Sequence, residues 1–209
     1  MFTGIITNVG RLSSLEKHGG IRLVIDTKDN MDCMTIGDSV ACSGVCLTII
    51  ANSQDSFTVD VSAETLSKTT IGTWIQGMPI NLERSITLNS KLGGHLVTGH
   101  VDGLAKILSI ERKDNSYRLS IEAPEYLNSF IAANGSVCLD GVSLTVNSIH
   151  GRKFSLNLVN YTWNNTTFCE RSVGDDLNME VDLIARYVAR LGESGTLLTS
   201  PLIGPTIES

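Results

Sequence analysis

At 209 residues the chain has room for one large domain or two small ones. Its 42% hydrophobic and 18% charged residues suit a globular protein with a real core, and the 19 glycines beside only 5% aromatics suggest many turns and a β-rich chain. A formal charge of −6 without clustered Lys or Arg argues against nucleic acid as a partner. No apolar run approaches the ~20 residues of a membrane span, and Met1 to Ile6 carries no basic leader, so no membrane association and a cytoplasmic location are expected.

In chain order, Phe2 to Val9 reads as a short apolar strand, Gly19-Gly20 as a turn, and Ile21 to Asp26 as a loosely alternating strand. Ser39 to Ile50 predicts two strands around Gly44, and Phe57 to Val61 another. Ala63 to Lys68 is the first helical turn, with Ser62 as its N-cap, and Pro79 to Arg84 is a further strand. Six short strands separated by turn signals favour a compact antiparallel barrel.

The second half repeats the first. Thr98-Gly99 echoes Thr3-Gly4 at an offset of about 95 residues. Cys138 to Thr145 echoes Ala41 to Thr48, Thr162 echoes Thr65, and Asn178-Met179-Glu180 echoes Asn81-Leu82-Glu83, all at an offset of about 97. Each copy is long enough to be a whole small barrel. Beyond Asp182, the spacing of Ile184, Tyr187, Val188 and Leu191 predicts an amphipathic helix ended by Gly192. It must pack on its own barrel or on another chain, since so short a helix is marginal alone. The tail from Glu193 is expected to be mobile.

Differences between the copies locate the chemistry. Cys46 becomes Ser143, so that position faces something polar in both halves. His100 takes the place of Ile5, in the expected first strand of the second barrel, and imidazole is the side chain best suited to accept and return a proton near neutral pH. His95, in the glycine-rich stretch Leu92 to Gly103, is expected to be a structural turn histidine. Asp140 replaces Ser43, and Asp60, Glu64 and Asp182 are further carboxylates near strand ends. The cysteines (Cys33, Cys42, Cys46, Cys138, Cys169) form no CxxC pair, so no metal site is expected. There is no GxSxG elbow, dinucleotide fingerprint or P-loop.

The segments Met1 to Ile6, Ser43 to Thr48, Gly93 to Gly103 and Asp140 to Val146 together resemble the riboflavin synthase alpha-chain family. The resemblance runs to about Leu191. It implies an all-β fold of two tandem six-stranded Greek-key barrels, at 1–96 and 97–182, with a trimerisation helix at 183–192 and a tail at 193–209. It also implies a transferase that dismutates two molecules of 6,7-dimethyl-8-ribityllumazine, one donating a four-carbon unit to the other. The products are riboflavin and 5-amino-6-(D-ribitylamino)uracil. The exchange balances between identical substrates, so no cofactor is implied. A homotrimer with intermolecular active sites and lumazine synthase as a further partner complete the implied picture.

Carried over by position, the first barrel would contact substrate through Gly4, Ile5, Ile6, Ser39, Cys46, Leu47, Thr48, Asp60, Val61, Ser62, Ala63, Glu64 and Thr65. The second would use Gly99, His100, Val101, Asn134, Ser143, Leu144, Thr145, Asn157, Leu158, Val159, Asn160, Tyr161 and Thr162. His100 would move a proton at the acidic C7 methyl, Cys46 or Ser143 would add to or polarise the partner, and Asp140 and Asp182 would orient these groups. The chain departs from the family pattern at Ser43, Asn134, Asn160-Tyr161 and Trp163-Asn164-Asn165. The same scaffold also serves non-catalytic lumazine- or flavin-binding antenna proteins, in which the Gly-Gly-His and Gly-His segment is expected to be eroded. Here His95 and His100 are both present, which favours the enzyme. An unrelated two-barrel adaptor would leave the Cys46/Ser143 and Ile5/His100 differences without a reason.

Overall fold

Period-two burial shapes most of the described chain. In the computed structural model, which describes residues 1–17, 20–28 and 34–193, strands such as Ile21–Asp26 alternate buried and exposed side chains along their length. The first barrel is formed by β1 (Asn8–Lys17), β2 (Ile21–Asp26), β3 (Ser39–Cys42), β4 (Val45–Asn52), β5 (Ser56–Val61) and β6 (Pro79–Arg84). These close in the order β1-β2-β5-β4-β3-β6, with every pairing antiparallel. Three consecutive strands followed by a fourth that returns beside the first of them is the Greek-key arrangement.

The second barrel repeats the plan with β7 (Gly103–Lys113), β8 (Ser116–Glu122), β9 (Ser136–Leu139), β10 (Val142–His150), β11 (Lys153–Val159) and β12 (Asp176–Val181). Even the register shifts recur, at Leu12/Ser14 and Ile107/Ser109, and at Ile49/Ala51 and Val146/Ser148. Each barrel has its own core, around Leu23, Ile25, Ile49 and Phe57 in one and Ile107, Leu119, Ile121 and Leu156 in the other. Each such fully buried side chain contributes about 1.5–3 kcal/mol.

Short helices follow the fifth strand of each barrel. These are α1 (Ala63–Lys68), capped by Ser62 Oγ accepting from Thr65 N–H, and α2 (Asn160–Asn164), which has no side-chain cap. Between the barrels the backbones nearly touch. A Cβ on Gly44 would lie 2.6 Å from Gly141 N, and one on Gly141 would lie 2.8 Å from Gly44 N. Two buried asparagines join the barrels reciprocally. Asn81 donates to the Asp140 carbonyl and accepts from Thr167 N–H, and Asn178 donates to the Ser43 carbonyl and accepts from Thr70 N–H, all at 2.8 Å.

Three expectations change. Phe2 to Thr7 is no strand, apart from one bridge between Phe2 and Val97; the first strand begins at Asn8. His100 likewise precedes β7 rather than lying within the second barrel's first strand. The reason is the left-handed turn at Gly4 (φ +75°) and Gly99 (φ +79°), which breaks the extended run. The C-terminal helix α3 (Leu183–Glu193) runs through Gly192 instead of ending before it. Gly19, Cys33 and the tail from 194 lie outside the described residues. No helix among the described residues is long and apolar enough to cross a membrane.

Candidate active site

The segments before β1 and β7 form two straps, each pinned by a buried glutamate of its own barrel's last strand. Thr3 donates its N–H and hydroxyl to Glu83 Oε1, both at 2.7 Å, and Gly4 N–H donates to Oε2 at 2.9 Å. Thr98 donates its N–H (2.7 Å) and hydroxyl (2.6 Å) to Glu180 Oε1, while Gly99 and His100 N–H donate to Oε2 at 2.8 and 3.1 Å. Burial pushes both carboxyls above the ordinary glutamate value, against the pull of these donors.

Past its glutamate each strap crosses to the other barrel. The Gly4 carbonyl accepts from Ser143 N–H and the Gly99 carbonyl from Cys46 N–H, both at 2.8 Å. Glycine is required at both points. A Cβ on Gly4 would lie 2.5 Å from that of Ser143, and one on Gly99 would lie 2.6 Å from that of Cys46. Ile6 packs against the second barrel's core and Val101 against the first's. This corrects the grouping by copy: Gly4, Ile5 and Ile6 belong with Ser143, and Gly99, His100 and Val101 belong with Cys46.

On the Cys46 face, Cys46 is half-buried while Thr48 and His100 are exposed. Ser39 pairs with Thr48 across the β3–β4 hairpin. Asp60 is engaged by Arg22 through two bonds of 2.8 and 3.0 Å, and that guanidinium holds its carboxyl below the usual range. Glu64 pairs with Lys68 at 2.8 Å. Asp102, two residues beyond His100, accepts from Val181 N–H (2.9 Å) and from Arg186 (3.0 Å).

The Ser143 face is built differently. His95 Nδ1 lies 2.7 Å from Ser143 Oγ, and His95 Nε2 is buried without a hydrogen-bond partner among the described residues. Burial lowers the imidazole pKa, with the nearby charge of Asp182 opposing that shift. Asp182 itself accepts from Ile184 N–H at 2.8 Å at the start of α3. Gly94 lets the linker lie this close, since its Cβ would come within 2.7 Å of Ser143 Oγ. His95 is therefore bonded to a candidate nucleophile, where the sequence suggested a turn histidine. Among the other expected contacts of this barrel, Thr145, Asn157, Val159 and Tyr161 are exposed, and Asn160 and Thr162 are half-exposed. Asn134 is exposed at φ +62°, the twin of Gly37 at φ +97°. Leu47, Val61, Leu144 and Leu158 turn into the barrel cores, leaving only their backbones for a ligand.

Asp140 stands apart from both faces. It is fully buried, with Arg171 donating to Oδ2 at 2.6 Å and Asn178 N–H to Oδ1 at 2.8 Å. Its twin Ser43 accepts from Asn81 N–H in the same way, so the position is an interface cap rather than an orienting group at the site. Sequence reasoning missed the roles of Glu83, Glu180 and His95. The signal for the glutamates was the repeated Asn-x-Glu of β6 and β12. A cavity of about 770 Å³ between the barrels, lined in part by Thr70, Thr73, Gln76 and Arg171, contains none of the expected site residues.

The lumazine binding domain model matches this chain twice, over residues 3–85 and 98–182. A riboflavin synthase of Brucella abortus is 45% identical over 92% of this chain and 98% of its own length. The chain belongs to the riboflavin synthase family. The Bacillus subtilis relative of that name is 37% identical over 91% of this chain and 89% of its own, and the Saccharomyces cerevisiae one is 34% identical over 91% and 85%. Crystal structures of LumP superimpose with TM-scores of 0.78, as its complex with 6,7-dimethyl-8-(1'-D-ribityl) lumazine, and 0.80, as its complex with riboflavin. Both cover 87% of this chain and 99% of LumP at 23% and 24% identity, which establishes the shared fold. Within the riboflavin synthase family, this chain is a transferase of two lumazine-binding repeats.

Proposed function

We propose that the chain dismutates 6,7-dimethyl-8-ribityllumazine by transferring a four-carbon unit between two molecules, one on each kind of face. The observation that carries this reading is the pair of twinned faces with unlike side chains, Cys46 with His100 and Ser143 with His95. The reaction needs one lumazine deprotonated at its C7 methyl and the other opened to attack. Exposed His100 suits the proton transfer. Neutral His95 accepts the Ser143 hydroxyl proton at Nδ1 and raises the nucleophilicity of that oxygen toward the second lumazine. Asp182 biases His95 electrostatically. Atoms and electrons balance between two identical substrates, so the residues' task is to hold, orient and move protons. Holding two reactants together is worth up to ~7–11 kcal/mol.

Each face joins the body of one barrel, at 1–96 or 97–182, to the strap of the other, and a complete site pairs the faces of two neighbouring chains. Ile184, Tyr187, Val188 and Leu191 on α3 are 45–67% exposed, an apolar stripe suited to trimer assembly. Incubating the pure protein with the dimethyl-ribityllumazine and following riboflavin absorbance tests the reading. Turnover is expected, tight binding without turnover would make this an antenna-type protein, and neither would overturn both. Sedimentation of wild type and Val188→Asp tests the assembly, which is expected to fall from trimer to monomer in the variant.

A further inference from the structure

Two buried glutamates remain outside the chemistry just described, and each holds a strap of its own barrel against the face of the other. Glu180 is only 2% exposed and gathers four donors from Thr98, Gly99 and His100. Glu83 is 4% exposed and gathers three from Thr3 and Gly4. A buried carboxylate is expensive to desolvate, and a fold with no further use for it is better served by an apolar side chain. Here both oxygens of each carboxylate are committed to the backbone at the turn where the strap leaves for the other barrel. The next carbonyl-to-amide bond, Gly4 to Ser143 or Gly99 to Cys46, fixes the strap against the residue that differs between the faces.

We propose that Glu83 and Glu180 are positioning residues with crossed responsibilities. Glu83, in the first barrel, sets the Ser143 face, and Glu180, in the second, sets the Cys46 and His100 face. The Glu180 clamp bears on the chemistry directly, because its Oε2 also takes the N–H of His100 and so fixes where that imidazole starts. The two straps are otherwise alike at this turn: the Ile5 N–H donates to Thr3 Oγ1 and the His100 N–H to Thr98 Oγ1, both at 3.3 Å. The proposal rests on the two faces being the lumazine sites, and it adds that each barrel's last strand governs the site on the other barrel.

The test uses Glu180→Gln and Glu83→Gln, with Thr98→Val and Thr3→Val as milder losses of one bond each. Iodoacetamide labelling of full-length protein is followed peptide by peptide. Cys46 reports its own face, and buried Cys42 and Cys138 report general loosening. Glu180→Gln is expected to raise Cys46 labelling about tenfold and Thr98→Val about threefold, since each removes bonds to a charged acceptor. Glu83→Gln and Thr3→Val are expected to leave Cys46 within about twofold, and Cys42 and Cys138 stay unlabelled throughout. In turnover, Glu180→Gln lowers kcat about tenfold or more with KM little changed, because a misplaced His100 costs rate rather than binding. Equal Cys46 labelling in the two Gln variants overturns the crossed assignment, as does labelling of Cys42 and Cys138 in step with Cys46. An unchanged kcat in Glu180→Gln also overturns it. If wild type forms no riboflavin, the reaction assigned above fails, while the labelling still judges the clamps.

Discussion

The two barrels share strand order, bulge positions, cross-barrel asparagines and glutamate clamps, yet they part company at a few side chains on their faces. Cys46 N–H bonds the second barrel's strap at Gly99, next to His100, while Ser143 N–H bonds the first barrel's strap at Gly4, next to Ile5, and Ser143 gains His95 from the linker. Most of what fixes the backbone was kept, the Ser43/Asp140 cap and the Ser62 helix cap aside, and the faces themselves diverged at Cys46/Ser143 and Ile5/His100. Two identical substrates held on a twinned scaffold still have to do different things, and unlike side chains at equivalent places supply that difference.

The sharpest way to break the comparison is at the twin positions His100 and Ile5. His100→Gln should lower kcat by about 10²–10⁴-fold, the usual weight of a general acid–base group. Ile5→Gln, a change to a substrate contact, should act on KM and leave kcat within about threefold in the same riboflavin assay, because no proton transfer is asked of it. Next come the strap glycines. Gly4→Ala and Gly99→Ala each place a methyl on the facing Cβ and force alanine to positive φ, and each should cost about 100-fold in turnover. A strong effect at one and none at the other would mean that only one strap is needed for catalysis.

The asparagines test whether the symmetry holds energetically. Asn81→Ala and Asn178→Ala each strand a buried N–H and carbonyl of the opposite barrel, which should cost about 1–3 kcal/mol in urea unfolding, equally for the two. The smallest effect is a pH slope. Burial holds the His95 pKa below the ordinary 6.5, so below that pH the unfolded chain binds a proton that the folded chain refuses. The stability that neutral His95 provides is complete above 6.5 and is lost as pH falls toward its folded value. The urea midpoint of wild type should decline through that window, and His95→Gln should flatten the decline.

Much of this architecture was legible in the chain. Glycine and apolar spacing gave most first-barrel strands, and the offsets of 95 and 97 gave the duplication. Phe2 to Val9 misled because an apolar run looks the same whether its backbone bonds to a neighbouring strand or to a buried carboxylate 80 residues away. Strap exchange was hidden for a related reason. Repeat alignment equates Gly4 with Gly99 but carries no information on which barrel each visits. His95 was undervalued because its partner, Ser143, lies 48 residues along the chain. Asp140 was overvalued because a difference between copies looks chemical until its partners Arg171 and Asn178 are seen.

The crossed straps also change how inheritance would work on this molecule. Residues 4–6 travel in the same barrel as Cys46 but answer to Ser143, and residues 99–101 travel with Ser143 but answer to Cys46. Neither half can drift toward a new ligand by itself. A substitution near one barrel's start has to be matched in the middle of the other, so the strap exchange binds the two copies into a single unit of change.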